Sequence, residues 1–364
     1  MNRKERLRRC YYHEELDRPA VYSRRLFPAN DPSYDKLKAY LGQHSELKLE
    51  WNTFELDSPY PMEVTKGPYN DELVREITIL HTPKGDLRKS DLARIKTQAK
   101  DQPKMHEEYL LKNRQDAEKY LSLPMPEVRK DVSMFYELQK QLGNTGIADV
   151  SLWINPAGKA AALFGSENFA LASALERDII HALCERQMNI IINRLKYLLS
   201  EGIGPYFNLL GEELVAPPFH GPKDFDDFNV KYDKPIIDMV HEAGGRMHIH
   251  CHGSIKKVLQ SFIDMGTDVL HPFEAPPMGD ITAKEAKEIS RGKLCIEGNI
   301  QINRMYEVTA DEIRAETEQL IKDTFDDKKG LIVSVTASPY IYGQGEVCFE
   351  QYKAMIDTVL EWTG

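Results

Sequence analysis

No two cysteines in this chain are spaced as a CxxC pair, and only five are present: Cys10, Cys184, Cys251, Cys295 and Cys348. Scattered and odd in number, they build no disulfide framework, and the chain reads as a reduced, cytoplasmic protein. An excess of positive charge is missing too. The net charge is −10, and the basic cluster "MNRKERLRR" reads as a solvated first helical turn, so nucleic acid is not expected as a partner. No apolar run approaches the ~20 residues of a membrane span. No apolar stretch follows the N-terminal charges as it would in a secretory signal, so no membrane partner is expected either. A GxGxxG after a strand is absent, which removes the usual dinucleotide fingerprint. No repeat of fixed period or low-complexity segment occurs.

What is present is 364 residues with 41% hydrophobic composition, ample for a large core. From about residue 147 the pattern becomes regular. "ADVSLWI", "PYFNLLG", "RMHIHCHG", "DVLHPFE", "KLCIEGN" and "GLIVSVTAS" read as strands, each followed by a helical segment, with glycine at many helix ends. Strand-then-helix repetition means parallel β structure with crossover helices. These six units, with a further strand near residue 21, suit a closed (β/α)8 TIM barrel better than an open sheet. The whole chain, 1–364, is then one barrel domain, with regular units over 147–364. Residues 1–146 hold N-terminal helices, the first strands and an insertion. Over 60–90 the chain alternates polar and apolar around turns, a β-hairpin or meander signal, and 104–142 reads as two helices split by Pro124 and Pro126. The segment from Asp224 to Gly245 reads as a helix interrupted at Pro235.

The densest chemistry lies in "RMHIHCHG". Alternate side chains of a strand share a face, so His248, His250 and His252 line one side, with Ile249 and Cys251 on the other. In a barrel the histidine face is the interior, and His252 lies at the C-terminal end, where barrel active sites form. Three alternating imidazoles at a strand end point to metal binding or catalysis, against a plain hydrogen-bonded polar patch. Other strands end in Glu212-Glu213, Glu274 and Glu297-Gly298-Asn299. Glu213 is the best oxygen donor, because Pro217 and Pro218 fix the loop after it. Two histidines and one oxygen donor form a familiar catalytic zinc set with an open position. Asp227 is expected to ligate or to hydrogen-bond a ligand's second nitrogen. Trp153, Phe273, Tyr340 and Tyr342 are candidates for the walls of an apolar pocket, with ordinary loop packing as the alternative.

The stretch "RMHIHCHG…MGTDVLHPFEAPPMGD…KLCIEGNIQ" resembles the uroporphyrinogen decarboxylase superfamily. The likeness runs from about 205 to 361 and returns in "YYHEELDRPAVYSR" and "TPKGDL". It implies a (β/α)8 barrel and either of two activities: decarboxylation in haem synthesis, or zinc-dependent methyl transfer with corrinoid proteins. The decarboxylase signature after the first strand, close to RQAGRYxPEY, is replaced by "SRRLFPANDPSY", although Arg24 and Arg25 remain as anion binders. The thiol-activating methyltransferases carry H-x-C-G at the histidine strand and a second Cys after the last strand. Here His252 stands at the first Cys position and Ala337 near the second, while Cys348 lies further on.

Loss of sulfur ligands leaves a more electrophilic metal, suited to polarising an ether oxygen. The resemblance therefore implies the methyltransferase of an aryl methyl ether demethylase system. Zinc would be held by Glu213, His250 and His252. Asp227 or His248 would orient a ligand or move a proton. Trp153, Phe273, Glu274, Asn299, Tyr340 and Tyr342 would contact the substrate. The partners implied are a small methoxylated aromatic, or a related methyl donor, and a cognate corrinoid protein that carries the corrinoid. His248 is the alternative ligand to His252. The competing expectations are a decarboxylase and a non-catalytic corrinoid- or metal-binding protein.

Overall fold

Strands buried on both faces read as near-continuous apolar runs, and the segments after residue 147 have that character. The computed structural model describes residues 1–95, 104–128 and 131–363. In chain order the described strands are β1 (Ala20–Val21), β2 (Leu47–Asn52), β3 (Met62–Pro68), β4 (Leu73–Leu80), β5 (Leu87–Arg94), β6 (Met105–Glu108), β7 (Gly146–Ile154), β8 (Tyr206–Leu210), β9 (Arg246–His250), β10 (Val269–His271), β11 (Cys295–Ile300) and β12 (Leu331–Val335). Eight of them form one parallel sheet in the order β1-β12-β11-β10-β9-β8-β7-β2. Its two ends meet at Glu46. The Glu46 N–H donates to the Val21 carbonyl at 2.9 Å, and the Glu46 carboxylate accepts from the Val21 N–H at 2.7 Å. Arg6 and Arg18 reach the same buried carboxylate at 2.7 and 3.0 Å. The sheet is thus a closed (β/α)8 barrel, as the strand–helix rhythm predicts.

The eighth barrel strand, β2, is not predicted from sequence. Its "LKLEWN" carries Lys48 and Glu50 among its apolar residues, so the apolar signal is interrupted. The expected hairpin over 60–90 is part of a four-stranded antiparallel sheet, β3-β4-β5-β6. Residues 105–108 do not join a helix; they pair with β5, and the helices fall at Arg114–Leu121 and Ser133–Leu142. Leu80 and Leu87 of the insertion pack with Tyr120 against the helices Pro156–Phe164 and Arg177–Ser200, in a core separate from that of the barrel. Pro235 does not interrupt its helix: Lys231–Glu242 runs through it. A wide π-helical turn at Asp226–Val230 immediately precedes this helix and gives the ring room.

The barrel interior is polar at its middle. Lys48 of β2 donates to Glu297 of β11 at 2.5 Å, both fully or nearly fully buried, and the Lys48 ammonium lies 4.4 Å from the Tyr22 ring centroid. Burial would raise the Glu297 carboxyl, but Lys48 and His248 outweigh it and hold it below the ordinary carboxylate range. Removing one partner of a buried pair strands the other. Lys48→Met should destabilise the fold by about 3–5 kcal/mol in denaturant titration, and adding Glu297→Leu should recover most of that loss. An unchanged denaturation midpoint in the single variant would contradict this role for the pair.

Candidate active site

The alternation in β9 holds as far as the strand does. Met247, Ile249 and Cys251 are fully buried in the core, while His248 and His250 face the interior. His248 sits deepest, with its Nε2 3.5 Å from the Glu297 carboxylate and both ring nitrogens without a hydrogen-bond partner. It belongs to the barrel's middle layer and not to its mouth. β9 ends at His250, so His252 lies beyond the ladder, its ring centroid 4.7 Å from that of His250. Glu274, after β10, accepts from the Gly253 N–H at 2.8 Å and lies 3.2 Å from His252 Nδ1. Burial would raise Glu274, yet the bonds from His252 and Gly253 outweigh it and keep it ionised. Glu274, expected at the substrate, therefore orients His252.

Two residues absent from the sequence-predicted set complete the cluster. His271 of β10 pairs in register with His250, and their Nδ1 atoms stand 2.8 Å apart. Its Nε2 lies 3.1 Å from the Val335 carbonyl. Arg24, noted in the sequence only as an anion binder, places Nη1 at 2.9 Å from His250 Nδ1 and 3.4 Å from His250 Nε2. Burial, then the Arg24 charge and the neighbouring histidines, hold His250 well below the usual imidazole range, so its ring is neutral at pH 7. A lone histidine inside the apolar "DVLHPF" was the available sequence signal; its pairing with His250 is visible only once the strands are aligned.

Glu213 sits in a short 3-10 turn, Glu212–Val215, directly after β8. Gly211 makes this turn at φ 108°, and a β-carbon there would lie 2.7 Å from Ile154, so the turn requires glycine. Burial raises Glu213, and the charges of His252 and Arg24 reach it and pull the other way. Its Oε2 is buried without a partner. Asp227 is not drawn to the histidines: its carboxylate accepts from Arg177 at 2.6 Å, on the helix Arg177–Ser200. The bond to a histidine's second nitrogen expected of it is made instead by Glu274 and His271.

The expected pocket walls divide. Phe273 is fully buried, and its ring edge would lie 3.1 Å from a β-carbon on Gly298. Asn299 lines a side groove with Pro277, Gln301 and Arg304. Tyr340 and Tyr342 are exposed in the loop after β12, with Tyr340 edge-on to Tyr306 at 5.9 Å. Trp153, next to last in β7, has φ 74°, a strained conformation for a bulky residue, in a stretch where the pairing with β8 slips register. It is thereby turned out beside Phe54, ring centroids 6.2 Å apart.

Two imidazoles, and a buried carboxylate oxygen with no partner, are the donor types of a catalytic zinc centre. Among the described residues, no three His, Cys, Asp or Glu side chains converge as a ready-made ligand group. The Arg24 guanidinium instead lies against His250. No thiol competes, because all five cysteines are buried and Cys251 packs into the core on the opposite side of the strand. The donor chemistry fits zinc; ligation requires Arg24 to yield.

Behind Glu213 lies a second buried acidic pair. Both oxygens of Glu212 and Oδ1 of Asp233 have no hydrogen-bond partner, while Asn155 donates to Asp233 Oδ2 at 2.9 Å. Burial pushes both carboxyls up, Asp233 to about 8. The native state therefore holds a proton that the unfolded chain releases near pH 4. That stabilisation is complete below the unfolded pKa and is lost as pH rises toward 8. Asp233→Asn keeps the acceptor and removes the ionisation. Relative to the parent it should gain roughly 3–4 kcal/mol between pH 5 and pH 8, read by denaturation at both pH values; a constant difference would contradict the buried proton.

The family model described as "Uroporphyrinogen decarboxylase (URO-D)" matches residues 94–362. A solved structure described as a methyltransferase from Methanosarcina mazei superposes with a TM-score of 0.64 at 13% identity, covering 99% of each chain. A B12-independent methionine synthase from Shewanella sp. W3-18-1 gives 0.46 at 12% identity, over 66% of this chain and 70% of that one. Among curated proteins none matches. Helices long and apolar enough to cross a membrane are absent among the described residues. The closed barrel agrees with the family match, and the match spans most of the chain: the protein belongs to the uroporphyrinogen decarboxylase family.

Proposed function

We propose that this protein is a methyltransferase that moves a methyl group from a methoxylated aromatic to the Co(I) corrinoid of a partner protein. The observation that carries the proposal is the sulfur-free donor set: His250, His252 and Glu213, whose Oε2 has no partner, with His252 at the position where thiol-activating members of the resembled family carry cysteine. The full-length structural likeness to a protein described as a methyltransferase supports the same branch.

His250, His252 and Glu213 would hold zinc, which when bound supplies Lewis acidity to the ether oxygen. The chain's own residues do the rest. Glu274 fixes the His252 ring from Nδ1 and leaves Nε2 toward the mouth. Trp153 and Phe54 offer an aromatic wall to the donor's ring. Arg24 has no carboxylate partner among the described residues, so once off His250 its fork is free to face the phenolate left when the C–O bond breaks. The methyl carbon passes to cobalt, and the phenolate takes a proton from solvent.

A flat corrinoid carrier needs a broad apolar landing face. Six of the eight barrel strand ends or the loops after them expose a large apolar side chain: Leu26, Phe54, Trp153, Phe219, Met278 and Tyr340. On this reading these side chains would receive the carrier.

The test is methyl transfer to free Co(I) cobalamin, followed by its absorbance, with methoxylated aromatics as donors. Turnover that a chelator abolishes and zinc restores is the expected result. His250→Ala should weaken zinc binding by more than about 100-fold, the upper range for losing an outer partner alone. Carbon dioxide release from a carboxylated aromatic or a porphyrinogen, without metal or corrinoid, would overturn the proposal. Full zinc occupancy in His250→Ala would remove His250 from the ligand set.

A further inference from the structure

β2 and β7 lie side by side in the barrel, and their register sets Glu50 directly against Asp149. Both side chains point inward. Trp51, next to Glu50, packs outward on Phe135 of the helix Ser133–Leu142, and Lys48, two residues back, crosses the interior to Glu297. The Asp149 charge reaches His248 and Tyr22, so Asp149 shares that interior. Neighbouring strands are about 4.8 Å apart, which makes the two carboxyls neighbours. Asp149 is 6% exposed, and its Oδ1 has no hydrogen-bond partner. Glu50, one step nearer the mouth than Lys48, is open to solvent and makes no ion pair or hydrogen bond with a described residue.

Two carboxylates side by side oppose each other's ionisation unless a cation offsets them. The charged and titratable groups around this pair are Lys48, Arg24, Glu297, His248, Tyr22 and, from the helix Arg3–Tyr11, Tyr11. Only Lys48 and Arg24 are fixed cations, and each is committed elsewhere: Lys48 to Glu297, Arg24 to His250. Burial, then the Asp149 charge, raise the Glu50 carboxyl; Arg24 and Lys48 pull it down without cancelling the rise. Arg24 also ties the pair to the site, since it touches His250 and its charge reaches Glu50.

We infer that Glu50 and Asp149 form a carboxyl pair holding one proton, and that Glu50 delivers this proton to the oxygen that loses its methyl group. The delivery rests on the proposed function; the shared proton does not. The C–O bond breaks and its electron pair stays on oxygen, while Co(I) gives the electron pair of the new bond to the methyl carbon and becomes Co(III). The Glu50 O–H then breaks toward the oxygen, and a phenol leaves. Solvent remains the ultimate source: it returns a proton to Glu50 at the mouth. Glu50 is the catalytic residue. Asp149 acts through it, as a positioning residue that keeps the proton in place.

The test uses the full chain and follows methyl transfer to free Co(I) cobalamin from methoxylated aromatics that release phenols of graded acidity. A strongly acidic phenol can leave without a proton; a weakly acidic one needs it. Glu50→Gln should slow donors of weakly acidic phenols about 100-fold or more and slow donors of strongly acidic, nitro-substituted phenols far less. Glu50→Asp should recover part of the loss. The parent rate on weakly acidic donors should fall as pH rises through the raised Glu50 value. Asp149→Asn removes the facing charge and should move that fall to lower pH. Equal slowing of all donors in Glu50→Gln, an unchanged rate, or an Asp149→Asn profile that does not move would overturn the inference.

Infrared titration reads the proton without any methyl donor. The parent-minus-Glu50→Gln difference, which removes the bands of Glu212 and Asp233, should show a protonated carboxyl that titrates above the ordinary glutamate range. Absence of that band would overturn the shared proton. A parent that turns over none of the donors would overturn the proposed function, and the delivery step with it, while the infrared band still decides whether the pair holds a proton.

Discussion

Glu297 stays ionised at the centre of the barrel because Lys48 reaches it from β2, and the rest of the interior is arranged around that pair. A buried carboxylate without a partner would take up a proton or unfold the chain. The pair spans the barrel from one strand to another and gives His248 a neighbour on the same carboxylate oxygen. His248 is thereby committed to the middle layer. The chemistry moves one layer up, to His250, His271 and His252, where Arg24 and Glu274 replace Lys48 and Glu297 as the charged partners. Barrel closure at Glu46 holds β1, and with it Arg24, across the barrel from the strands that carry the histidines.

The strands that could be read from sequence are those whose two faces are both apolar or cleanly alternating. β7 to β12 fall in that class, and the likeness to the family came from the same stretch. β2 was hidden because its inward Lys48 is an interior ion, so the residue that stabilises the barrel is also the one that erases the strand's signal. β6 was hidden because "MHEE" has no strand character of its own; its ladder comes from β5. At the site, alternation placed His248 and His250 on the interior face, and position along the strand put His248 deeper, but neither showed the partners that separate their roles. Asp227 looked available because sequence spacing says nothing of Arg177, fifty residues earlier, which takes its carboxylate. His271 and the contact of Arg24 with His250 depend on strand register and on closure, and both are properties of the assembled barrel.

The mouth combines features of two chemistries. An arginine after the first strand and a family match to decarboxylases would suit a carboxylated substrate. The donor set on β8 and β9, sulfur-free and partly unpartnered, suits a metal that withdraws electrons from an ether oxygen. Arg24 links the two: the guanidinium that lies on His250 would, on the proposed function, be free to face an anion if His250 took a metal. Glu212 and Asp233, protonated behind Glu213, add no negative charge near it, and burial is the main opposition to Glu213 ionisation.

X-ray absorption at the zinc edge on the metal-loaded protein tests the sulfur-free centre most directly. The account requires a first shell made only of nitrogen and oxygen, at about 2.0–2.2 Å, with imidazole scattering from two histidines. A sulfur scatterer at about 2.3 Å would mean that a buried cysteine has been recruited, and would contradict it.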